Sequence, residues 1–290
     1  MSLTPEQREA RRLGIGGSDA AAVVGRHPYV TPLALWLDKV HGREVVETDR
    51  MEAGNRLEPV IREWAADLLG LSVSVPPATI YHPLTKRMLV NLDGLLSDGR
   101  VLECKNIDSL QWRTMGDEDL VDGCARSHWW QAQHAMEAAD LPGAVVGYLI
   151  GGNDMQLRPV ERDRAIGKAL REHIVRWWTR HVEGNEPPTQ GTADDRMSLL
   201  ERLHARESAG MLKTDAESVI ALARDYDHWR AAEKQAKANK DIAKANLCSV
   251  IGAASGLDFG PKGKATWKAD KHGTRTLLVT LRGDTEQDHG

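Results

Sequence analysis

In Asn91-Leu92-Asp93-Gly94-Leu95-Leu96-Ser97-Asp98-Gly99-Arg100-Val101-Leu102-Glu103-Cys104-Lys105-Asn106, two apolar runs flank a Ser-Asp-Gly turn, the pattern of a β-hairpin. The turn admits two registers. A two-residue Asp98-Gly99 turn pairs Asp93 with Cys104, whereas a three-residue Ser97-Asp98-Gly99 loop, with Gly99 in the left-handed conformation, pairs Asp93 with Glu103. The second sets Val90, Leu92, Leu96, Leu102 and Cys104 on one face and Asp93, Glu103 and Lys105 on the other, while the first mixes the sets. The three-residue loop is the better reading.

Two carboxylates directly opposed in a sheet repel, so something must compensate. A hard divalent cation does so: Mg²⁺ takes one or two carboxylates with phosphate and water, and Mn²⁺ is an acceptable substitute. Lys105 shares the face of Glu103 and is placed to hold an attacking water or offset phosphate charge, and the Cys104 carbonyl is available to complete the metal shell. The bland alternative is a half-exposed hairpin with a cross-strand ion pair. Leu92, Leu95, Val101 and Leu102 argue instead for a buried strand pair, in which unpaired charge is costly.

Outward from the hairpin, Thr31-Pro32 opens a short helix that Gly42 ends, and a second helix spans Glu52 to Leu69 with Gly70 as its stop. Extended segments are expected at Leu71 to Val75, Thr79 to Tyr81, Met88 to Leu95 and Arg100 to Asn106. A helix over Arg126 to Ala139, strands at Ala144 to Ile150 and Met155 to Val160, and a helix over Asp163 to His181 follow. Gly184-Asn185-Glu186-Pro187-Pro188-Thr189 punctuates the chain, dividing a domain of residues 1–190 from a segment of residues 191–290. There Val219, Leu222, Tyr226, Trp229, Ala232 and Ala236 recur at helical steps as a stripe to be packed, and Thr266 to Ala269 with Thr274 to Leu281 suit a hairpin.

The 290 residues are 41% hydrophobic and 28% charged, a globular composition, and no apolar run approaches a membrane span, so a cytoplasmic location is expected. Three scattered cysteines exclude a disulfide scaffold and a four-cysteine cluster. A net charge of −4 means that any nucleic-acid contact is local.

Asp93 with Glu103-Cys104-Lys105 resembles the PD-(D/E)xK nuclease motif, with Leu92 in place of the proline. Three further blocks, Arg12-Leu13-Gly14-Ile15-Gly16-Gly17-Ser18-Asp19, Met51-x-x-Gly54-x-x-x-Glu58-Pro59 and Gln131-Ala132-Gln133-His134-Ala135-Met136, resemble the YqaJ and lambda exonuclease family in order and content. The resemblance implies an α/β fold: a restriction-endonuclease-like core with a mixed central sheet flanked by helices, followed by the helical segment with its small hairpin. It implies metal binding by Asp93, Glu103, Cys104 and Glu58, with Lys105 and Gln133 catalytic. Gln131 and Gln133 both stand in the motif, and Gln133 is preferred. Gly16, Gly17 and Ser18 suit a helix start that binds an anion, with Ser18 as a candidate N-cap, and by resemblance Arg12, Gly17 and Ser18 take a 5′-phosphate.

The activity implied is Mg²⁺-dependent, 5′-to-3′ exonuclease action on ends of double-stranded DNA, leaving single strands for an annealing protein. A homo-oligomer is expected, a trimer ahead of a dimer. The rivals are an endonuclease on the same fold and an inactive DNA-binding module.

Overall fold

The computed structural model describes residues 4–42, 48–204 and 210–282. The chain divides into two compact units, Met1–Glu207 and Ser208–Gly290.

The first unit begins with α1 (Pro5–Arg12), a 3₁₀ turn (Gly17–Asp19) and α2 (Ala20–Val23). Next comes α3 (Pro32–His41), capped by Thr31, whose Oγ1 accepts from the Ala34 N–H at 3.0 Å, and stopped by Gly42 at φ 72°. Gly70, left-handed at φ 65°, ends α4 (Asp49–Leu69) in the same manner. There follow β1 (Val73–Ser74), β2 (Ile80–His82), β3 (Thr85–Val90), β4 (Gly94–Leu96), β5 (Val101–Ile107), α5 (Ser109–Arg113), β6 (Leu120–Val121), β7 (Cys124–Ala125) and α6 (Arg126–Ala139). The unit closes with β8 (Gly143–Ile150), β9 (Asp154–Glu161), α7 (Arg164–Trp177), a π-helical turn (Trp178–Glu183) and α8 (Ala193–Leu203).

Five strands form a mixed sheet in the order β1-β4-β5-β8-β9, in which only β5 and β8 run parallel. The crossover between those two is α6, as a parallel pair requires. Strand β8 is buried along its whole length, which explains its unbroken apolar sequence. Ile61 and Ala65 of α4 pack with Leu96, Leu102, Cys104, Val145 and Leu149 on one side of the sheet. Val101, Ala144, Val146 and Tyr148 face the other way, packing with Ala132, Ala135 and Met136 of α6 and with Leu170 and Ile174 of α7.

The hairpin adopts the three-residue register: Gly94 lies opposite Leu102, Leu95 opposite Val101, the Leu96 N–H reaches the Arg100 carbonyl at 2.9 Å, and Gly99 has φ 87°. The single strand expected over Met88 to Leu95 is broken. Strand β3 pairs with β2 in a separate two-stranded ribbon, and the chain bends through Asn91, Leu92 and Asp93 before β4 begins. Polar side chains substitute for the ladder there: Asn91 Oδ1 accepts from Thr79 Oγ1 at 2.8 Å, and Asp93 Oδ2 accepts the Cys104 N–H at 2.9 Å. In an unbroken ladder that N–H would meet the Leu92 carbonyl. As a result Val90 and Leu92 pack in the α6 cluster, apart from Leu96, Leu102 and Cys104, contrary to the single apolar face expected.

The division between units also falls later than residue 190. Thr31 Oγ1 donates to Asp195 Oδ2 at 2.8 Å and the Leu33 N–H to the Gln190 carbonyl at 3.0 Å, binding α8 to α3. The second unit holds α9 (Glu217–Ile251), β10 (Gly256–Asp258), β11 (Gly263–Ala269) and β12 (Arg275–Leu281). The three strands form an antiparallel sheet in that order, one strand more than the expected hairpin. Ile251 and Ala265 are buried, and Arg275 stacks 3.8 Å from the Trp267 ring while donating to the Gly252 carbonyl at 2.8 Å. The strands of their own unit do not cover Val219, Leu222, Tyr226 and Trp229 of α9. Among the described residues no helix is long and apolar enough to cross a membrane.

Candidate active site

Glu103 and Lys105 stand two residues apart on β5, so both side chains emerge on the α6 side of the sheet. Glu103 is 2% exposed, and its Oε1 lies 2.6 Å from Lys105 Nζ. Gln131 of α6 binds both: its Nε2 donates to Glu103 Oε1 and its Oε1 accepts from Lys105 Nζ at 3.0 Å. Asp93, at the bend before β4, faces the same carboxyl from the other side. Burial and the Asp93 charge, together with an Asp93 hydrogen bond, push the Glu103 carboxyl up to about 8 against the pull of Lys105. Burial also works against the Lys105 ammonium, but Glu103 and Asp93 hold it above its usual range.

Behind this group, Arg62 of α4 donates to the Asp93 carbonyl at 2.9 Å and lies 3.4 Å from Glu58. Burial, with the charges of Asp93, Glu103 and Glu58, drives the Cys104 thiol far up, so it stays protonated and offers the site only its backbone carbonyl. Among the described residues no three His, Cys, Asp or Glu side chains converge as a closed metal cage. Two opposed carboxylates, with the Asp93 charge raising the Glu103 carboxyl, beside a backbone carbonyl, nevertheless suit an ion that keeps several waters. Asp93, Glu103 and the Cys104 carbonyl fit Mg²⁺, with Glu58 nearby but paired to Arg62.

The glycine block is laid against this centre. The Ile15 N–H donates to the Arg87 carbonyl at 2.8 Å and its carbonyl accepts from Leu89 at 3.1 Å, pinning the segment to β3. A Cβ on Gly14 would lie 2.9 Å from Leu89 Cδ2 and 3.1 Å from two β3 carbonyls, so any side chain there must push Leu89 and the strand aside. A Cβ on Gly17 would lie 3.2 Å from Gln131 Cγ, which places this loop directly on the glutamine that braces Glu103 and Lys105.

Two expected site residues lie elsewhere. Gln133 points away from Glu103: its amide donates to the Glu161 carbonyl at 2.7 Å and accepts from the Asp163 N–H at 3.0 Å, tying α6 to the start of α7. The helix phase carried this signal, since Trp129, Ala132, Gln133 and Met136 form the buried stripe of α6. Arg12 is exposed at the end of α1, and it is Arg11 that donates to Ser18 Oγ and approaches Asp19 at 3.4 Å. Ser18 caps no helix: Gly16 precedes the 3₁₀ turn, and Asp19 accepts the Gly16 N–H at 3.1 Å. Burial opposes the Asp19 charge, but Lys39 at 2.7 Å, with Arg11, brings its carboxyl down to about 2. Arg11, Lys39, Arg62 and Gln131 are the site residues that sequence reading passed over or ranked second.

A family model described as the YqaJ-like viral recombinase domain matches residues 7–142, which hold every residue of this centre. The uncharacterized protein YqaJ of Bacillus subtilis (strain 168) is 28% identical over 201 residues, 67% of this chain, and the match spans 61% of that relative's length. Among solved structures, an alkaline exonuclease from Laribacter hongkongensis is similar, with TM-score 0.51 and 18% identity over 70% of this chain and 98% of the other.

Proposed function

From the match of residues 7–142 to the YqaJ-like viral recombinase domain, we propose that this protein is a Mg²⁺-dependent DNA exonuclease with a PD-(D/E)xK core. It digests linear duplex in the 5′-to-3′ direction and leaves single strands for an annealing protein. The observation that carries the reading is the opposition of Asp93 and Glu103 over one point, with Lys105 and Gln131 fastened to Glu103. The fold shared with the alkaline exonuclease supports it.

Asp93, Glu103 and the Cys104 carbonyl would hold the ion, with Glu58 behind them, and the ion when bound supplies water activation and neutralises charge on the phosphate. The remaining chemistry belongs to this chain. An ammonium has three donors, and Lys105 commits two, to Glu103 and Gln131, so the third is available for the attacking water or a phosphate oxygen. Gln131, with its nitrogen on Glu103 and its oxygen on Lys105, keeps both groups aimed at one place. Arg11 and Ser18, rather than Arg12, would receive the terminal phosphate at the glycine loop.

The test is a nuclease gel with linear 5′-phosphorylated, linear 5′-hydroxyl and circular duplex, in Mg²⁺ and in EDTA. Linear DNA should vanish in Mg²⁺ alone and circles should survive. Asp93→Ala and Glu103→Ala should abolish digestion, while Arg11→Ala should slow the phosphorylated duplex more than the hydroxyl one. Cleavage of circles would make it an endonuclease. Full activity in EDTA overturns the metal proposal, and inactivity in both conditions leaves a binding module.

A further inference from the structure

Six residues beyond Gln131 on α6, roughly 9 Å along the axis and on another side of the helix, Glu137 is buried at 5% exposure. It is enclosed by cations. Arg171 of α7 donates to Glu137 Oε1, Arg162 Nη2 reaches Oε2 at 3.0 Å, and His82 of β2 lies 3.6 Å away. The fit is built into the backbone: a Cβ on Gly167 would lie 2.8 Å from Glu137 Oε2, so α7 carries a glycine where the carboxylate passes under it.

These groups border an open cavity of about 440 Å³ that also takes in Asp140, Arg164 and Lys168. Four cationic side chains therefore face two carboxylates, Glu137 and Asp140. Burial, followed by the Arg171 charge, lowers the His82 imidazole, so it adds no charge at neutral pH. Arg162 is 8% exposed in its side chain and spends both terminal nitrogens on Asp140, Leu141 and Glu137, yet its buried Nε has no partner. At the rim, Arg164 and Lys168 are only loosely engaged, 3.9 Å from Asp140 and 4.0 Å from Glu172. Arg164, Lys168 and Arg171 fall at i, i+4 and i+7, one face of α7 over about 10 Å.

We infer that this cavity is a second anion site, specific for the phosphate group of a nucleotide and separate from the catalytic centre. Even with Glu172 beside Lys168, four cations meet three carboxylates, and guanidinium and ammonium groups converging from a loop and along a helix suit a tetrahedral oxyanion. The phosphate belongs either to the backbone of the DNA or to a free mononucleotide, and the two are separable. The inference stands whether or not the chain is a nuclease, because binding needs no turnover.

The experiment uses the full-length protein in EDTA, wild type against Arg164→Ala/Lys168→Ala, whose exposed side chains leave the fold and its melting temperature in place. Inorganic phosphate, deoxyadenosine monophosphate, a short duplex with 5′-hydroxyl ends and polyglutamate are titrated in turn. The double variant should bind phosphate about tenfold more weakly, as loss of charge-assisted hydrogen bonds predicts. If the source is DNA, duplex affinity falls too and the slope of log affinity against log salt shrinks by about two. If it is the mononucleotide, affinity for the monophosphate falls with that for inorganic phosphate while duplex affinity is unchanged. Equal affinities of the two proteins for every phosphate probe, or equal competition by polyglutamate, would overturn the assignment.

Discussion

Glu103 is a carboxylic acid kept close to neutrality by its surroundings, and that leaves a signature in stability. Its native carboxyl is raised to about 8 from an ordinary 4.5. Between those values the folded protein holds a proton that the unfolded chain has released, so the Glu103 contribution declines as pH rises and levels off above about 8. In EDTA, the melting temperature of the wild type measured against Glu103→Gln should therefore fall across this window, and saturating Mg²⁺ should remove the decline. Asp93→Asn should raise the metal-free melting temperature by removing the charge that faces Glu103. A drop would mean that the carboxylate is chiefly a structural acceptor for the Cys104 N–H. The two glutamines separate just as sharply. Gln131→Ala should lower turnover by about 10–100-fold with little change in melting, as loss of a group that orients a reactive one does. Gln133→Ala, which strands the Glu161 carbonyl and Asp163 N–H, should cost about 1–3 kcal/mol of stability and leave turnover nearly intact.

At the scale of elements, the glycine segment acts as a spacer of fixed thickness between β3 and α6. Gly14→Ala drives a methyl into Leu89 and two carbonyls and should destabilise by about 1–3 kcal/mol, read as a shift in denaturant midpoint. Gly17→Ala meets only the stem of Gln131, so it should spare the midpoint and reduce kcat. If Gly17→Ala unfolds the protein instead, the loop supports the fold rather than the glutamine. Helices with explicit punctuation were legible in advance: α3 between Thr31-Pro32 and Gly42, α4 up to Gly70, and α6 over its whole span. The hairpin register was legible because one residue of slip would have exchanged its faces. The break at Asn91–Asp93 was not, since it depends on partners as distant as Thr79 and Arg62. Arg11 was missed for a related reason. Its place beside Ser18 follows from α1, whose Thr4-Pro5-Glu6-Gln7 capping signal stood unread at the start of the chain.

For the molecule as a whole, the exposed face of α9 bears on assembly. Leu222, Tyr226 and Trp229 are 69%, 72% and 68% exposed, an apolar run that their own unit does not cover. A homo-oligomer, a trimer ahead of a dimer, accounts for it if copies meet through this helix. Light scattering should then give the mass of an oligomer for the full chain and a lower mass for Leu222→Asp/Trp229→Asp. A monomeric full chain rejects the assembly, and an unchanged oligomer in the variant moves the interface to Met1–Glu207.

The place of β5 between β4 and β8 has a consequence for the tempo of the site. The Glu103 and Lys105 amides lie in the ladder to β8, so their deuterium uptake awaits global opening, and the hard half of the centre is as long-lived as the native state. The Cys104 amide is different, because its acceptor is the Asp93 side chain at the bend, which a small local excursion releases. Its protection factor should be lower than those of its two neighbours in metal-free protein and should climb to match them when Mg²⁺ is added. A single amide would thus report cation capture, and the softness of the Asp93 side, rather than the rigidity of the sheet, would set how fast the ion arrives and leaves.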